Sequence, residues 1–304
     1  MEHGRVCSVC NHSAQKPFNV IDNVPYFICE NCGSILADLA FLEETMKGKA
    51  RVYDDDYWSD EIKAAQERGY GGNLVRMAEV FYYAKRPINR FLDISCGPGL
   101  LLNAVSELLP EVSHRFWGVE PFPPPAQFCS KHPNFKVGFL HDLDLKFDAG
   151  VCIEVIEHLT PDILRTMTRE LAAVSEPGAV YYFNSSQPSF VINSDPGYLD
   201  PHKRGHIASY SIEGLRLMFG EAGFTIHPLP GRDWGFLAEY GPGPAEDSNG
   251  ISARIWGILP ENREMLSSGR FGGLLLTAGL EAARCYLEAA VANWAVGELR
   301  KAQQ

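Results

Sequence analysis

The sequence predicts an α/β fold with a mostly parallel sheet and helices on both of its faces. Three observations indicate it. Between residues 90 and 230, short apolar runs that read as buried strands alternate with helical patterns, as expected for parallel strands joined by helices. A glycine-rich turn joins the first of these strands to a helix, and polar residues follow several strand ends directly. Ligands bind at the carboxyl ends of the strands in an open α/β sheet, so a site is expected there.

The strand and turn in "RFLDISCGPGLLLNAVSELL" carry the clearest signal of a nucleoside site. Asp93, Gly97 and Gly99 lie at the end of a buried strand and in its turn, and an apolar helix is predicted over 100–109. Glycines let the backbone approach a ligand closely, with a helix N-terminus behind it. A dinucleotide fingerprint needs a third glycine where Leu102 stands, so a pyrophosphate site is not expected.

Three later strand ends carry polar residues. The second strand, in "RFWGVEPF", ends at Glu120, a place that suits hydrogen bonds to ribose hydroxyls. The third, in "FKVGFL", is followed by Asp142, which could accept a hydrogen bond from an adenine amino group. The fourth, in "FDAGVCIEVIEHLTP", is followed by Glu154, Glu157 and His158. These residues are the candidates for contacts with a cofactor and a substrate.

Glu154, Glu157 and His158 form an E-x-x-E-H set, a spacing that brings side chains to one face of a helical turn. Two carboxylates and an imidazole suit a divalent ion such as Mg²⁺ or Mn²⁺. His158 also suits a general base, because the unperturbed pKa of histidine is about 6.5. His206, in "DPHKRGHIASYS" after the fifth predicted strand, could face the same crevice. The alternative is that all of these are ordinary loop residues.

Together these motifs resemble those of a known family. The order strand, "LDISCGPG", helix, "GVEP", "HDLD" and "FDAGVCIEVIEHL" resembles the class I S-adenosylmethionine-dependent methyltransferases. The later "GHIASYSIEGLRLMFGEAGFTIHPL" resembles their substrate loop, next helix and sixth strand. The resemblance covers about 90–230 and implies a Rossmann-like, seven-stranded, mostly parallel sheet with S-adenosylmethionine as the cofactor.

Carried over onto this sequence, the resemblance implies a role for each candidate residue. The cofactor would contact Asp93, Gly97 and Gly99 at its methionine end, Glu120 at the ribose, Asp142 and the Leu143 backbone at the adenine, and Glu154. The catalytic residues would be His158, Glu157 and His206. One departure is "PFPPPAQFC", whose three prolines delay the helix that usually follows the ribose carboxylate.

The E-x-x-E-H set resembles that of the plant small-RNA 2′-O-methyltransferases and the ubiquinone-pathway O-methyltransferases. That likeness implies Mg²⁺ or Mn²⁺ at Glu154, Glu157 and His158, with His206 matching a further histidine of the RNA enzymes. Many class I enzymes carry a similar stretch without a metal, with the first Glu against the cofactor and the His packing or orienting a substrate. Both interpretations stay open at this stage.

Two cysteine pairs lie near the N-terminus. Cys7 and Cys10, then Cys29 and Cys32, form two C-x-x-C knuckles separated by eighteen residues. Four thiolates at this spacing match a tetrahedral structural zinc site, and the alternative is four unligated thiols. A zinc-knuckle segment ahead of this core also resembles bacterial methyltransferases that modify sugars or natural products.

Composition limits the partners and the compartment. The formal net charge of −11 and the absence of a basic stripe argue against a nucleic-acid partner and favour a small-molecule or sugar acceptor. No apolar run reaches the roughly 18 residues of a membrane span, and the N-terminus has no apolar signal-peptide core. Eight cysteines are then expected to be ligands and free thiols in a cytoplasmic protein.

The chain divides into four predicted segments. They are a zinc ribbon over 1–45, a helical linker or lid over 46–88, a methyltransferase core over 89–230, and a C-terminal loop with a helical extension over 231–304. Two interpretations are open for the aromatic residues of the second segment, Tyr53, Tyr57 and Trp58. They close over a ligand pocket, or they belong to a solvated turn. The Ala-rich helical pattern over about 269–301 covers a core or forms a homodimer contact.

The leading hypothesis is therefore O-methylation of a sugar, a sugar conjugate or another small hydroxylated metabolite, with His158 near the acceptor. One alternative is C-methylation of a nucleotide-linked keto sugar, with a His or Tyr base and no metal. RNA methylation and a non-catalytic module that kept the fold are the others; the acidic balance argues against the first, and intact Asp93 and Glu120 argue against the second.

Overall fold

A computed structural model describes residues 6–13, 15–38, 40–41 and 55–301, without the side chains of 55–61 and 248. The predicted role of Tyr53, Tyr57 and Trp58 at a pocket falls outside this description. No helix in the described ranges combines the length and the apolar character that a bilayer crossing requires.

Two sheets contain all the described strands. The strands are β1 Gln15–Ile21, β2 Val24–Cys29, β3 Ile35–Ala37, β4 Phe91–Ile94, β5 Phe116–Glu120, β6 Phe135–Val137, β7 Phe147–Ile153, β8 Ser175–Asn184, β9 Ala208–Ser209, β10 Phe224–Pro228 and β11 Gly235–Tyr240. Seven of them form one sheet in the order β10-β11-β8-β7-β4-β5-β6. Strands β4 to β8 of this sheet pair in parallel, and only β11 pairs antiparallel, with β8 and β10. The predicted seven-stranded, mostly parallel sheet is confirmed.

Helices connect and cover these strands. They are α1 Asp55–Arg68, α2 Leu74–Tyr83, α3 Leu100–Leu108, α4 Pro161–Ala173, α5 Pro188–Asn193, α6 Ile212–Gly220, α7 Ser248–Ile255, α8 Pro260–Ser267 and α9 Gly272–Lys301. Strand β7 is buried at six of its seven positions, as expected for a parallel strand covered on both faces. Alternate residues of β4 enter the two cores, with Leu92 and Ile94 on one side and Phe91 on the other.

The seventh strand, β11, lies beyond residue 230, where the core was expected to end. It follows a turn in which Gly231 has φ +69, and a side chain at this glycine would come within 2.2 Å of the Tyr286 carbonyl oxygen. The sheet therefore extends into the segment assigned to the C-terminal extension. Between β5 and β6, residues 121–134 form turns, bends and irregular backbone with no helix, so the helix expected after the prolines is absent and not only delayed.

The second sheet has the order β1-β2-β3-β9. Strands β1 and β2 form an antiparallel hairpin, and β3 pairs with β2 on one side and with β9 on the other. The N-terminal strands and a short strand of the core thus share one sheet.

Candidate active site

The glycine turn after β4 has left-handed backbone at Gly97, with φ 55, and at Gly99, with φ 73. A side chain on Gly99 would meet Phe135 at 2.7 Å and Ser130 at 2.8 Å. Conformation and space both require glycine at this position. The close packing accounts for Gly99, and its contact with a cofactor stays a prediction.

Glu120 at the end of β5 is tied to this turn. Its two carboxylate oxygens accept hydrogen bonds from the Gly97 N–H at 2.7 Å and the Phe122 N–H at 2.8 Å. Asp93 is buried nearby, and burial, reinforced by the charge of Glu120, raises its pKa to about 8. The structure thus brings three predicted cofactor residues, Asp93, Gly97 and Glu120, to one edge of the sheet.

The predicted adenine contacts lie on the turn after β6. The Asp142 carboxylate accepts from the Phe139 N–H at 2.8 Å, and the Leu143 N–H donates to the Leu140 carbonyl at 3.1 Å. Both groups are therefore engaged within the turn. Sequence reasoning missed the aromatic pair beside them, Phe122 and Phe139, which are 70% and 45% exposed with ring centroids 6.1 Å apart. Such exposure is unusual for phenylalanine.

Glu154 follows β7 with left-handed backbone, φ 55, a conformation that is rare away from glycine. Its N–H donates to the Asn184 carbonyl at 2.9 Å, and the Asn184 amide donates to its carboxylate. Burial, followed by the nearby Glu157, raises the pKa of Glu154 to about 8. Glu154 thus lies beside both Asn184 and Glu157, but it does not belong to the group of ligand atoms that converge within 4.8 Å.

A different set converges, comprising Glu157, His158 and His206, each with a ligand atom within 4.8 Å of the other two. The first two lie on a single 3₁₀ turn, Ile156–His158, and His206 comes from the loop before β9. The sequence named all three residues, but it placed Glu154 in the cluster and left His206 as an optional addition.

The Glu157 side chain is fully buried. Within the described ranges neither of its carboxylate oxygens makes a hydrogen bond, although Ser185 and Tyr198 lie near. Burial raises its pKa. A buried carboxyl without hydrogen bonds costs free energy, so Glu157 is a candidate for binding a ligand or exchanging a proton.

The two histidines present matching atoms to Glu157. The Nδ1 of His158 lies 3.0 Å from the Gly205 carbonyl oxygen, and the Nδ1 of His206 lies 2.8 Å from that of Tyr198. A carbonyl oxygen only accepts, so each Nδ1 carries the proton, and each Nε2 has a lone pair when the ring is neutral. These Nε2 atoms lie 4.0 Å and 3.9 Å from Glu157 Oε1.

The two rings differ in access and charge. The His158 side chain is 27% exposed and the His206 side chain 8%. Burial, with His158 beside it, lowers the pKa of His206 to about 3, so this ring is neutral near pH 7. The cluster can accept a proton at His158, or hold a cation between two imidazoles and a carboxylate.

Sequence reasoning also missed Arg76 on α2, whose guanidinium lies over the Trp234 ring at 5.1 Å. Its positive charge opposes the rise in the pKa of Glu154. Its Nε is buried without a hydrogen bond among the residues that the structure describes. An arginine on a helix ahead of the glycine turn gives no motif, so the sequence carried no signal for it.

The four cysteines of the N-terminal segment also converge. The Sγ atoms of Cys7 and Cys32 lie 3.8 Å apart, those of Cys10 and Cys29 lie 3.5 Å apart, and all four lie within 4.8 Å of one another. A tetrahedral zinc ion with Zn–S bonds of about 2.3 Å needs sulfur atoms about 3.8 Å apart. This four-cysteine cluster fits zinc.

Several solved structures are similar to this chain, all at low sequence identity. Streptomyces venezuelae DesVI has 17% identity and a TM-score of 0.45, over 63% of this chain and 100% of that one. The Burkholderia thailandensis 1,6-didemethyltoxoflavin-N1-methyltransferase has 19% identity and a TM-score of 0.41, over 75% and 100%. CalS10, an amino pentose methyltransferase from Micromonospora echinaspora, has 19% identity and a TM-score of 0.39, over 65% and 95%.

No curated protein is significantly similar in sequence. The profile of one family, described as a methyltransferase domain, matches residues 56–229. That match takes in the glycine turn, Glu120 and the Glu157–His158–His206 cluster, and it spans more than half of the chain. The chain therefore belongs to the methyltransferase-domain family and is an S-adenosylmethionine-dependent methyltransferase.

Proposed function

We propose that the chain transfers the methyl group of S-adenosylmethionine to a hydroxyl group of a sugar, a sugar conjugate or another small hydroxylated metabolite. The observation that carries the proposal is the buried Glu157 carboxylate with an imidazole Nε2 at 3.9 Å and another at 4.0 Å. Methyl transfer depends largely on positioning. An aliphatic hydroxyl also needs a base to take its proton or a cation to lower its pKa, whereas a thiol does not.

In this proposal the cofactor lies along the carboxyl ends of β4, β5 and β6. Asp93 and Gly97 contact its methionine end, and Glu120 accepts from the ribose hydroxyls. The two backbone N–H groups that hold the Glu120 carboxylate fix its orientation and leave other lone pairs for the ribose. Asp142 serves the adenine amino group, and the exposed Phe122 and Phe139 rings supply apolar surface for the base.

His158 is the proposed residue nearest the acceptor, because it is the more exposed of the two imidazoles. The Gly205 carbonyl keeps the proton on Nδ1, so the lone pair that takes the proton of the acceptor hydroxyl is on Nε2. Glu157 and the neutral His206 surround that nitrogen. An uncharged neighbour at His206 avoids a second cation beside the protonated His158.

The same residues fit a divalent cation. Two Nε2 lone pairs and the Glu157 carboxylate form a two-histidine, one-carboxylate set, and carbonyls hold each Nδ1 as they do around metal sites. Imidazole ligands favour Mn²⁺ over Mg²⁺. When bound, such an ion would lower the pKa of an acceptor hydroxyl. The proposed ligands are Glu157, His158 and His206, in place of Glu154.

Titration calorimetry with MnCl₂ alone tests the cation site without an acceptor. We expect binding to the purified chain and at least a tenfold weaker affinity for Glu157→Gln. Glu213→Gln, which changes a carboxylate on the surface of α6, serves as the control and should bind as the parent does. Equal affinity in all three proteins would leave His158 as a base without a metal.

C-methylation of a nucleotide-linked keto sugar is the second candidate. It needs a base to form an enolate, and His158 Nε2 meets that need without a cation. RNA methylation is disfavoured by the net charge of −11.

Three further expectations belong with the proposal. Zinc in the four-cysteine cluster has a structural role, since all four ligand positions are filled. The chain acts in the cytoplasm. Trp294 and Leu299 on α9 are 68% and 65% exposed, and we assign them to a homodimer contact, which light scattering of the purified chain measures.

Transfer of labelled methyl from S-adenosylmethionine into fractionated cell extract tests the function itself. Label in the glycan and small-metabolite fraction is expected, with loss of most label in His158→Ala. His114→Ala, an exposed histidine away from the cluster, is the control and should keep full transfer. Label in RNA would contradict the acceptor class, and undiminished transfer by His158→Ala would remove His158 from the reaction.

A further inference from the structure

The N-terminal segment that carries the four-cysteine cluster meets the active site at β9. This two-residue strand pairs with β3, so that Ile35 faces Ser209 and Leu36 faces Ala208. His206 lies two residues before β9. The loop that presents a histidine to Glu157 therefore leads directly into the edge strand of the N-terminal sheet.

Two hydrogen bonds fix the backbone of this loop from the N-terminal side. The Tyr26 O–H donates to the carbonyl of His206 itself at 2.7 Å, and the Ala37 N–H donates to the Ile207 carbonyl at 2.9 Å. On the core side, the Ile207 N–H donates to the Glu157 carbonyl at 2.9 Å. The loop is thus clamped between the N-terminal sheet and the turn that carries Glu157.

The second cysteine pair, Cys29 and Cys32, joins the two strands that make these contacts. Tyr26 lies three residues before Cys29 on β2, and β3 begins three residues after Cys32. The Cys32 carbonyl also accepts from the Ser211 hydroxyl, just beyond β9. These contacts connect the segment that carries the four cysteines to residues on both sides of β9.

Tyr26 is suited to this task because it is fully buried. Burial raises its pKa, so the phenol keeps its proton and donates throughout the physiological range. Its partner is a backbone carbonyl and not the imidazole. The contact therefore bears on the position of His206 and not on proton transfer by its ring.

We propose that the four-cysteine segment is a positioning element of the active site, and that Tyr26 is the positioning residue that holds His206 against Glu157. The inference rests on the proposed function of the Glu157–His158–His206 cluster for its catalytic consequence. The structural part of the inference does not depend on that function. It states that His206 moves when its contact with Tyr26 is removed.

Tyr26→Phe removes one hydroxyl and is the test. Histidine ring signals in ¹⁵N NMR should shift for His206, and amide exchange at Ile207 should quicken about three- to tenfold, the effect of losing one hydrogen bond. Affinity for S-adenosylhomocysteine should stay within twofold, since the cofactor residues are held by one another. The matched control is Tyr181→Phe, which removes a buried hydroxyl group that is hydrogen-bonded to Ser175 at 2.8 Å in the core.

Unchanged His206 signals and Ile207 exchange in Tyr26→Phe would overturn the proposal. Changes of equal size in Tyr181→Phe would also overturn it, because they would mark a general loss of stability. If the His206 signals move in Tyr26→Phe alone while His206→Ala keeps full methyl transfer, the positioning role stands and the function proposed for the cluster fails.

Discussion

Two buried glutamates of this protein, Glu79 and Glu157, have different charged partners. Glu79 on α2 is 2% exposed, and its carboxylate lies 2.6 Å from the Arg232 guanidinium, which also donates to the Tyr182 hydroxyl and the Ala282 carbonyl. Glu157 is buried to the same degree, but no Lys or Arg is paired with it among the described residues, and the two imidazole Nε2 atoms lie 3.9 Å and 4.0 Å from its Oε1. One carboxylate is neutralised by a fixed cation, and the other is left open.

The difference separates a structural carboxylate from a functional one. A buried ion pair is tolerated when geometry and further hydrogen bonds offset desolvation. Arg232 is 2.6 Å from Glu79 and bonds to Tyr182 and Ala282, although Glu79 Oε2 itself makes no hydrogen bond among the described residues. A buried carboxyl with unpaired oxygens lowers stability and persists where a ligand or a proton will complete it. Burial alone does not distinguish the two glutamates, whereas their partners do.

The largest expected effect comes from breaking the paired site. Arg232→Met should destabilise the protein by about 3–5 kcal/mol in urea unfolding, because Glu79 would be left as an uncompensated buried charge. The double variant Glu79→Gln with Arg232→Met should recover part of that loss. A single-variant cost below about 1 kcal/mol would show that the pair is not the stabilising contact assumed here.

An intermediate effect is expected at a second paired group, the Arg254 guanidinium with Glu239 and Glu246. The Arg254 hydrogen bond lowers the pKa of Glu246 to about 2. Burial would raise that of Glu239, but His227 and Arg254 lower it to about 2.

Both folded-state pKa values lie below the unfolded value of about 4.3. Their stabilisation is therefore complete above that pH and is lost as pH falls towards 2. Arg254→Met should cost about 2 kcal/mol at pH 7, allowing for solvent screening, and should flatten the loss between pH 5 and 2. Unfolding at several pH values measures both, and an unchanged acid limb would contradict the assignment.

The smallest change in stability, with the opposite sign, is expected at Glu157. Its raised pKa means that its stabilisation is present below the unfolded pKa and is lost as pH rises. Glu157→Gln should therefore become more stable relative to the parent as pH rises, by about 1 kcal/mol at pH 8, because a neutral amide replaces a carboxyl whose ionisation burial opposes. Methyl transfer should fall about 10²- to 10⁴-fold, the usual contribution of acid–base groups. If Glu157→Gln were less stable than the parent and kept full activity, Glu157 would be a structural carboxylate and not a functional one.

The sequence predicted most of the sheet because parallel strands buried on both faces, such as β7, are nearly continuous apolar runs. It also predicted Glu157, His158 and the thiols from local spacing. Strand β11 was missed because a glycine- and proline-rich stretch follows it closely, so the whole segment read as a loop.

The composition of the cluster could not be predicted from spacing. Left-handed backbone at Glu154 breaks the helical geometry on which a neighbour argument depends, and His206 arrives from a loop nearly fifty residues later. The pairing of β3 with β9 is likewise invisible to local patterns. It joins segments more than 170 residues apart through two short strands.

That pairing sets an order of events during synthesis. Tyr26 and His206 are separated by 180 residues, so the N-terminal sheet lacks its last strand until most of the chain has left the ribosome. At roughly 5–20 residues per second, this delay is about 10–40 s. Throughout that time β3 is an unpaired edge, open to the same strand of a neighbouring nascent chain.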